Sequence, residues 1–240
     1  MEREPVALVF QSKISLLKGF TEFVFKLINQ KNGNFFLALS GGSTPKIWFD
    51  YLAEKHSQDI PWNRIQLFWG DERCVPPDDP GSNFGMTKKH LLEKIKIPEE
   101  NIHRIHGEID PVSAAEQYEK ELYETLGENP VFDLIILGMG DDGHTASIFP
   151  HEINLWDSEK LCAVGTHPIS EQKRVSFTGK LINNASAVTF LVTGENKAER
   201  IKEIIDEEPN AVYYPASLVK PTFGTLHWFF DKEAAKLIES

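Results

Sequence analysis

Short continuous apolar runs alternate with segments whose apolar residues recur every three or four positions, from one end of the chain almost to the other. The runs VALVF (6–10), FFLAL (35–39), IQLFW (65–69), IHRIH (102–106), DLIIL (133–137), LCAVG (161–165), RVSFT (174–178), AVTFLVT (187–193) and LHWFF (226–230) predict strands. Several are apolar at successive positions instead of alternating, as in strands covered on both faces. In PKIWFDYLAEK, Ile47 with Tyr51 and Trp48 with Leu52 are i,i+4 pairs on one helical face. DPVSAAEQYEKELYETLG supplies a cap at Asp110, Pro111 in the first turn and Gly127 as a stop, and ENKAERIKEIIDEE reads as a further amphipathic helix. Strand and helix in alternation predict an α/β fold, a mostly parallel sheet with helices on both faces. No repeat, low-complexity tract or Gly/Ser linker interrupts the pattern, so residues 1–240 read as a single domain with a small additional subregion in the second half.

Composition narrows the function classes. Of the 240 residues, 36 are acidic and 25 basic, a formal net charge of −11. Such a chain repels phosphate backbones and anionic membranes, so neither nucleic acid nor membrane is expected as a partner. The same field repels a small anionic substrate, whose site must therefore carry its own cations. Two isolated cysteines, Cys74 and Cys162, suggest a reducing compartment without a disulfide framework. MEREPVALVFQSK lacks the basic start and longer apolar core of a secretory leader, and a cytoplasmic protein is expected. The five tryptophans read as packing.

Three stretches carry candidate chemistry. In FFLALSGGSTPKIW a strand runs through Gly41, Gly42, Ser43 and Thr44 into a helix opened by Pro45; a helix start offers unpaired N–H groups and suits an anion. It lacks the spacing of a nucleotide P-loop, and a plain tight turn with capping hydroxyls accounts for it equally well. WGDERCVPPDDPGSN (69–83) follows a strand end; on spacing alone Asp71, Glu72 and Arg73 read as a surface salt-bridge cluster, although Arg73 could pair with an anion. GMGDDGHTAS (138–147) formally matches G-x-G-x-x-G, but Asp141 and Asp142 would face a pyrophosphate. Asp141, Asp142 and His144 could ligate a metal, yet no second histidine stands at ligand spacing, so no metal is expected. That leaves His144 either as an acid–base group steadied by a carboxylate or as a structural loop histidine.

Taken together and in this order, SGGSTP, WGDERCVPPDDPGSN and GMGDDGHTASIFP resemble the 6-phosphogluconolactonases, within the wider family that includes glucosamine-6-phosphate deaminases; RVSFT and GENKA extend the likeness over nearly the whole chain. The resemblance implies a Rossmann-like sheet, no metal or organic cofactor, and hydrolysis of 6-phospho-D-glucono-1,5-lactone, a phosphosugar lactone, in the oxidative pentose phosphate pathway. It implies that His144 is the general base, that Asp142 and Asp71 are acidic members of the site, and that Gly41, Gly42, Ser43, Thr44, Arg174 and Lys197 bind the phosphosugar. Arg73 resembles a lactonase-specific position that meets either the phosphate or the carbonyl. Deaminase relatives carry a glutamate five residues after the histidine, where this chain has Phe149. The alternatives are that deaminase activity and a non-catalytic phosphosugar sensor. On the lactonase reading, amides near Gly140–Gly143 or Arg73 take the oxyanion. Oligomeric state is left open by the sequence.

Overall fold

A computed structural model describes residues 4–238. Its strands are β1 (Val6–Phe10), β2 (Phe35–Leu39), β3 (Ile65–Trp69), β4 (Asp71–Arg73), β5 (Ile102–His103), β6 (Leu134–Leu137), β7 (Cys162–Thr166), β8 (Lys173–Phe177), β9 (Ala187–Val192) and β10 (Thr225–Asp231). Its α-helices are α1 (Lys13–Gln30), α2 (Ser43–Lys55), α3 (Asn83–His90), α4 (Pro111–Leu126), α5 (Gly179–Ile182) and α6 (Ala198–Ile205). Seven strands form one sheet in the order β1-β10-β9-β6-β2-β3-β5. Every pairing in it is parallel. Strands β3, β6 and β9 are buried along their whole length, which explains why their sequences are apolar at successive positions, with only Gln66 and Thr189 polar. Helices α1 and α2 pack on the sheet beside β1, β10 and β9.

The chain builds outward from β2 through β3 to β5, then returns beside β2 to build the other half through β6, β9 and β10. The β2–β6 boundary is therefore a switch point, where loops leaving the carboxyl ends of the two strands diverge and open a crevice.

Two of the expected strands lie elsewhere. RVSFT and LCAVG form an antiparallel sheet, β4-β8-β7, whose third strand comes from the 69–83 stretch, where the sequence suggests only a surface charge cluster. That stretch also ends in the first turn of α3. Only Ile102 and His103 of IHRIH pair with β3, at the sheet's edge. Helix α2 starts at Ser43, two residues before Pro45, and of its apolar pairs Trp48 and Leu52 are core while Ile47 is exposed. The 195–208 segment is a 3₁₀ turn at Glu195–Lys197 followed by α6. Helix α4 has the expected limits, with the Asp110 carboxylate accepting from Ser113 N–H at 2.9 Å. All five tryptophans are buried, and Trp228 stacks on Phe190 at 3.8 Å between ring centroids. Both cysteines are free, and no helix among the described residues is long and apolar enough to cross a membrane.

Candidate active site

Loops at the carboxyl ends of β2, β3, β6 and β9 meet around a cavity of about 250 Å³. Its wall includes Gly41, Gly42, Ser43 and Thr44, Asp71 and Arg73, His144, Arg174 and Lys197, which lie far apart in the chain.

The first wall is the start of α2. Gly42 has φ +106°, in the left-handed region that favours glycine, and a Cβ on Gly41 would stand 1.9 Å from Asn83 Oδ1. No side chain caps the helix, and among the described residues the N–H groups of Gly42, Ser43 and Thr44 have no partner. The hydroxyls are therefore not simple caps: Thr44 Oγ1 lies 2.8 Å from Thr193 Oγ1 across the cavity. An exposed helix start of this kind is a site for negative charge.

The second wall corrects the reading of residues 71–73 as a surface cluster. Asp71 and Glu72 are 5% and 2% exposed. They lie on β4, which pairs antiparallel with β8. Glu72 accepts from Arg73 N–H (2.7 Å), Asn83 N–H (2.7 Å), Phe84 N–H (2.8 Å) and Ser82 Oγ (2.9 Å), so it holds the first turn of α3. Asp71 Oδ2 accepts from Ser147 Oγ at 2.7 Å and its Oδ1 from Asn83 Nδ2 at 3.3 Å. Asp71 thus borders the cavity while tying together the two loops that form it.

Arg73 and Arg174 are direct cross-strand partners between β4 and β8. Like charges in that relation repel. Arg73 Nη1 donates to the Gly81 carbonyl, but both Nε–H groups are buried without a partner. Burial first, and then the Arg73 charge, push the Arg174 pKa below the ordinary arginine value. The Asp71 and Glu72 carboxylates act on Arg174 in the opposite sense but do not outweigh these effects.

The third wall holds His144. Its Nδ1 stands 2.6 Å from Asp142 Oδ1, which also accepts the His144 backbone N–H at 3.1 Å. Burial pushes the Asp142 carboxyl up, but the hydrogen bonds and charge of His144 outweigh it and hold the pKa at about 2. An ionised carboxylate only accepts, so Nδ1 carries a proton, and in the neutral form of the ring the lone pair is on Nε2. A side chain at Gly140 is sterically excluded: its Cβ would lie 2.1 Å from His144 Nδ1 and 2.6 Å from Asp142 Oδ1. Two of the amides expected nearby for an oxyanion are engaged within the loop. Gly140 N–H donates to the His144 carbonyl at 2.9 Å and Gly143 N–H to the Gly140 carbonyl at 3.1 Å.

Lys197 reaches the cavity with its ammonium paired to Asp141, which also accepts from Asn196 Nδ2 at 2.9 Å. Asn83 and Thr193 also line the cavity, and sequence reasoning missed both. Thr193 closes the apolar run AVTFLVT at a strand's carboxyl end, which was a usable signal; Asn83 had none beyond its place after a Pro/Gly-rich loop. Among the described residues no three carboxylate, imidazole or thiol groups converge as a metal site requires.

Comparison with known proteins matches residues 13–228 to the family model described as glucosamine-6-phosphate isomerases/6-phosphogluconolactonase. The chain is 46% identical over 215 residues to the 6-phosphogluconolactonase of Haemophilus influenzae, covering 89% of this chain and 92% of that one. It is 49% identical over 174 residues to that of Treponema pallidum, covering 71% and 72%. Among solved structures, 6-phosphogluconolactonase from Trypanosoma cruzi superposes with a TM-score of 0.89 at 31% identity, covering 100% of this chain and 99% of that one. A monomeric glucosamine-6-phosphate deaminase superposes at 0.80 with 20% identity, covering 97% and 99%, a likeness of fold alone.

Proposed function

This chain belongs to the glucosamine-6-phosphate isomerase/6-phosphogluconolactonase family, and on that premise we propose that it hydrolyses 6-phospho-D-glucono-1,5-lactone to 6-phosphogluconate with His144 as general base. The observation that carries the reading is the pairing of two unlike features in one cavity. One is an imidazole oriented by a carboxylate at Nδ1; the other is a cross-strand pair of like-charged arginines.

The substrate's phosphate docks against the N–H groups of Gly42–Thr44 and Arg174, with Lys197 exchanging Asp141 for the anion. That fixes the lactone ring across the cavity. His144 Nε2 takes a proton from water as the water oxygen bonds to the carbonyl carbon. The oxyanion that forms is met by Arg73, since the Gly140 and Gly143 amides are already engaged. The bond from carbon to ring oxygen then breaks, the imidazolium returns its proton to that oxygen, and the new carboxylic acid ionises. Asp142 holds the tautomer and steadies the imidazolium; Asp71 acts through Ser147 and Asn83 to hold the walls in place.

Against deaminase activity stands Phe149, whose ring centroid lies 4.6 Å from that of His144 where the resemblance places a relay carboxylate. A phosphosugar sensor needs the phosphate wall but not the histidine–aspartate pair. The deciding assay couples 6-phosphogluconate formation to its dehydrogenase and follows lactone loss above the spontaneous rate. Turnover on the lactone without ammonia release from glucosamine-6-phosphate is expected. Lactone or phosphosugar binding without turnover would reject the reading.

A further inference from the structure

Phe149 has a role in the geometry beyond the absence of a glutamate. Its side chain is 1% exposed, and the groups around its ring are cationic or can become so. His144 lies 4.6 Å away between centroids, tilted by 46°; the Arg174 guanidinium carbon is 5.5 Å from the ring centroid; His167 and His151 follow at 5.4 and 5.9 Å. One buried ring therefore touches both the base and the phosphate-facing arginine.

The neighbours differ in charge. Arg174 is a permanent cation. His167 Nδ1 accepts from Ser170 N–H at 3.1 Å and Ile169 N–H at 3.3 Å, and burial, then the Arg174 charge, push its pKa down, which favours its neutral form. His144 is the member whose charge appears and disappears within one turnover. A cation over the face of a buried aromatic ring, within about 6 Å of its centroid, is attracted by the quadrupole, more strongly when water is excluded. A carboxylate at this position would hold an imidazolium as an ion pair and delay return of its proton. A phenyl ring supports the charge more weakly and lets the proton pass on to the departing ring oxygen.

Building on the lactonase reading, we propose that Phe149 is a positioning residue, its ring stabilising the imidazolium that His144 becomes in mid-reaction and linking that charge to the Arg174 side of the cavity.

The test replaces Phe149 with trifluoro- and pentafluorophenylalanine, which drain the ring's negative face at nearly constant size, and with cyclohexylalanine, which keeps the bulk without a π face. Thermal melts confirm that each variant folds. The expected result is a stepwise fall in kcat with fluorine content, reaching about 2- to 30-fold for the pentafluoro ring. Cyclohexylalanine should match the trifluoro ring, whose face is nearly neutral, and KM should change less than kcat. Equal kcat across the series, or full activity with cyclohexylalanine, overturns the proposal, because a packing role alone is indifferent to the ring's electrons. The unsubstituted protein separates this from the reading beneath it: absence of lactone turnover there removes the lactonase assignment, whereas turnover with a flat series removes only the role of Phe149.

Discussion

Replacing Asp142 with asparagine tests the charge and orientation of the His144 pair while almost preserving its shape. In the fold the Asp142 carboxyl is held at about 2 against an ordinary 3.8. That difference corresponds to about 2.5 kcal/mol favouring the ionised pair, at ~1.4 kcal/mol per pH unit. The Asp142 side chain is 43% exposed, and solvent screening leaves roughly half of this, ~1 kcal/mol or about five- to tenfold in rate. A second effect adds to it. The new carboxamide can donate to Nδ1, moving the ring proton to Nε2 and removing the base in that fraction of molecules. Together these predict a kcat lowered by about 10- to 1,000-fold with KM within about threefold of the parent, because Asp142 touches the base and not the phosphate wall. The coupled assay, corrected for spontaneous hydrolysis, reads both constants. A variant that folds normally and keeps kcat within twofold would refute the reasoning.

Three further outcomes follow from single contacts. Gly140→Ala places a methyl 2.1 Å from His144 Nδ1, so the pair must separate; kcat should fall by about 10²-fold or more while phosphosugar binding persists, measured as KM and as product inhibition. Arg174→Gln removes one member of the repelling cross-strand pair. KM should rise by roughly 10- to 100-fold from a lost charge-assisted contact, with a melting temperature unchanged or raised; a lower melting temperature with unaltered KM would contradict the phosphate assignment. Glu108 is held at about 2, against 4.5, first by its hydrogen bonds from Arg104. Its folded pKa is depressed, so its contribution is present above about pH 4.5 and disappears as pH falls toward 2. Glu108→Gln should therefore cost about 1 kcal/mol near neutrality and nothing near pH 2, as read from denaturant melts across that range; a constant difference at all pH values would show that the pair is not its source.

How far the sequence is legible depends on whether a signal is local. The parallel sheet was readable because β6 is apolar at every position and β3 and β9 at all but one, Gln66 and Thr189, and α4 because its cap, proline and stop lie within one stretch. The small antiparallel sheet was not, because Asp71, Glu72 and Arg73 look like surface charge until β8 pairs with them and Ser82, Asn83 and Phe84 bring donors to Glu72. Burial of a carboxylate is decided by partners distant in sequence, and no spacing rule encodes them. A carboxylate beside His144 was legible because Asp141, Asp142 and His144 sit in one short loop, although which aspartate pairs with the ring was not. The Arg73–Arg174 pairing needed strand register. Lys197 was expected as an open cation; its pairing with Asp141 joins residues 56 positions apart. The amides of Gly140 and Gly143 were candidates for the oxyanion, but the loop's own turn consumes them.

The central claim is that His144, through an unprotonated Nε2, takes the proton of the attacking water. Its most direct test is the turnover of 6-phosphogluconolactone by His144→Asn, a substitution that keeps a polar planar group beside Asp142 but cannot accept and return a proton near neutral pH. The account predicts kcat lowered by roughly 10²–10⁴-fold with 6-phosphogluconate binding within a fewfold of the parent. A folded His144→Asn protein that hydrolyses the lactone at close to the parental rate would contradict it.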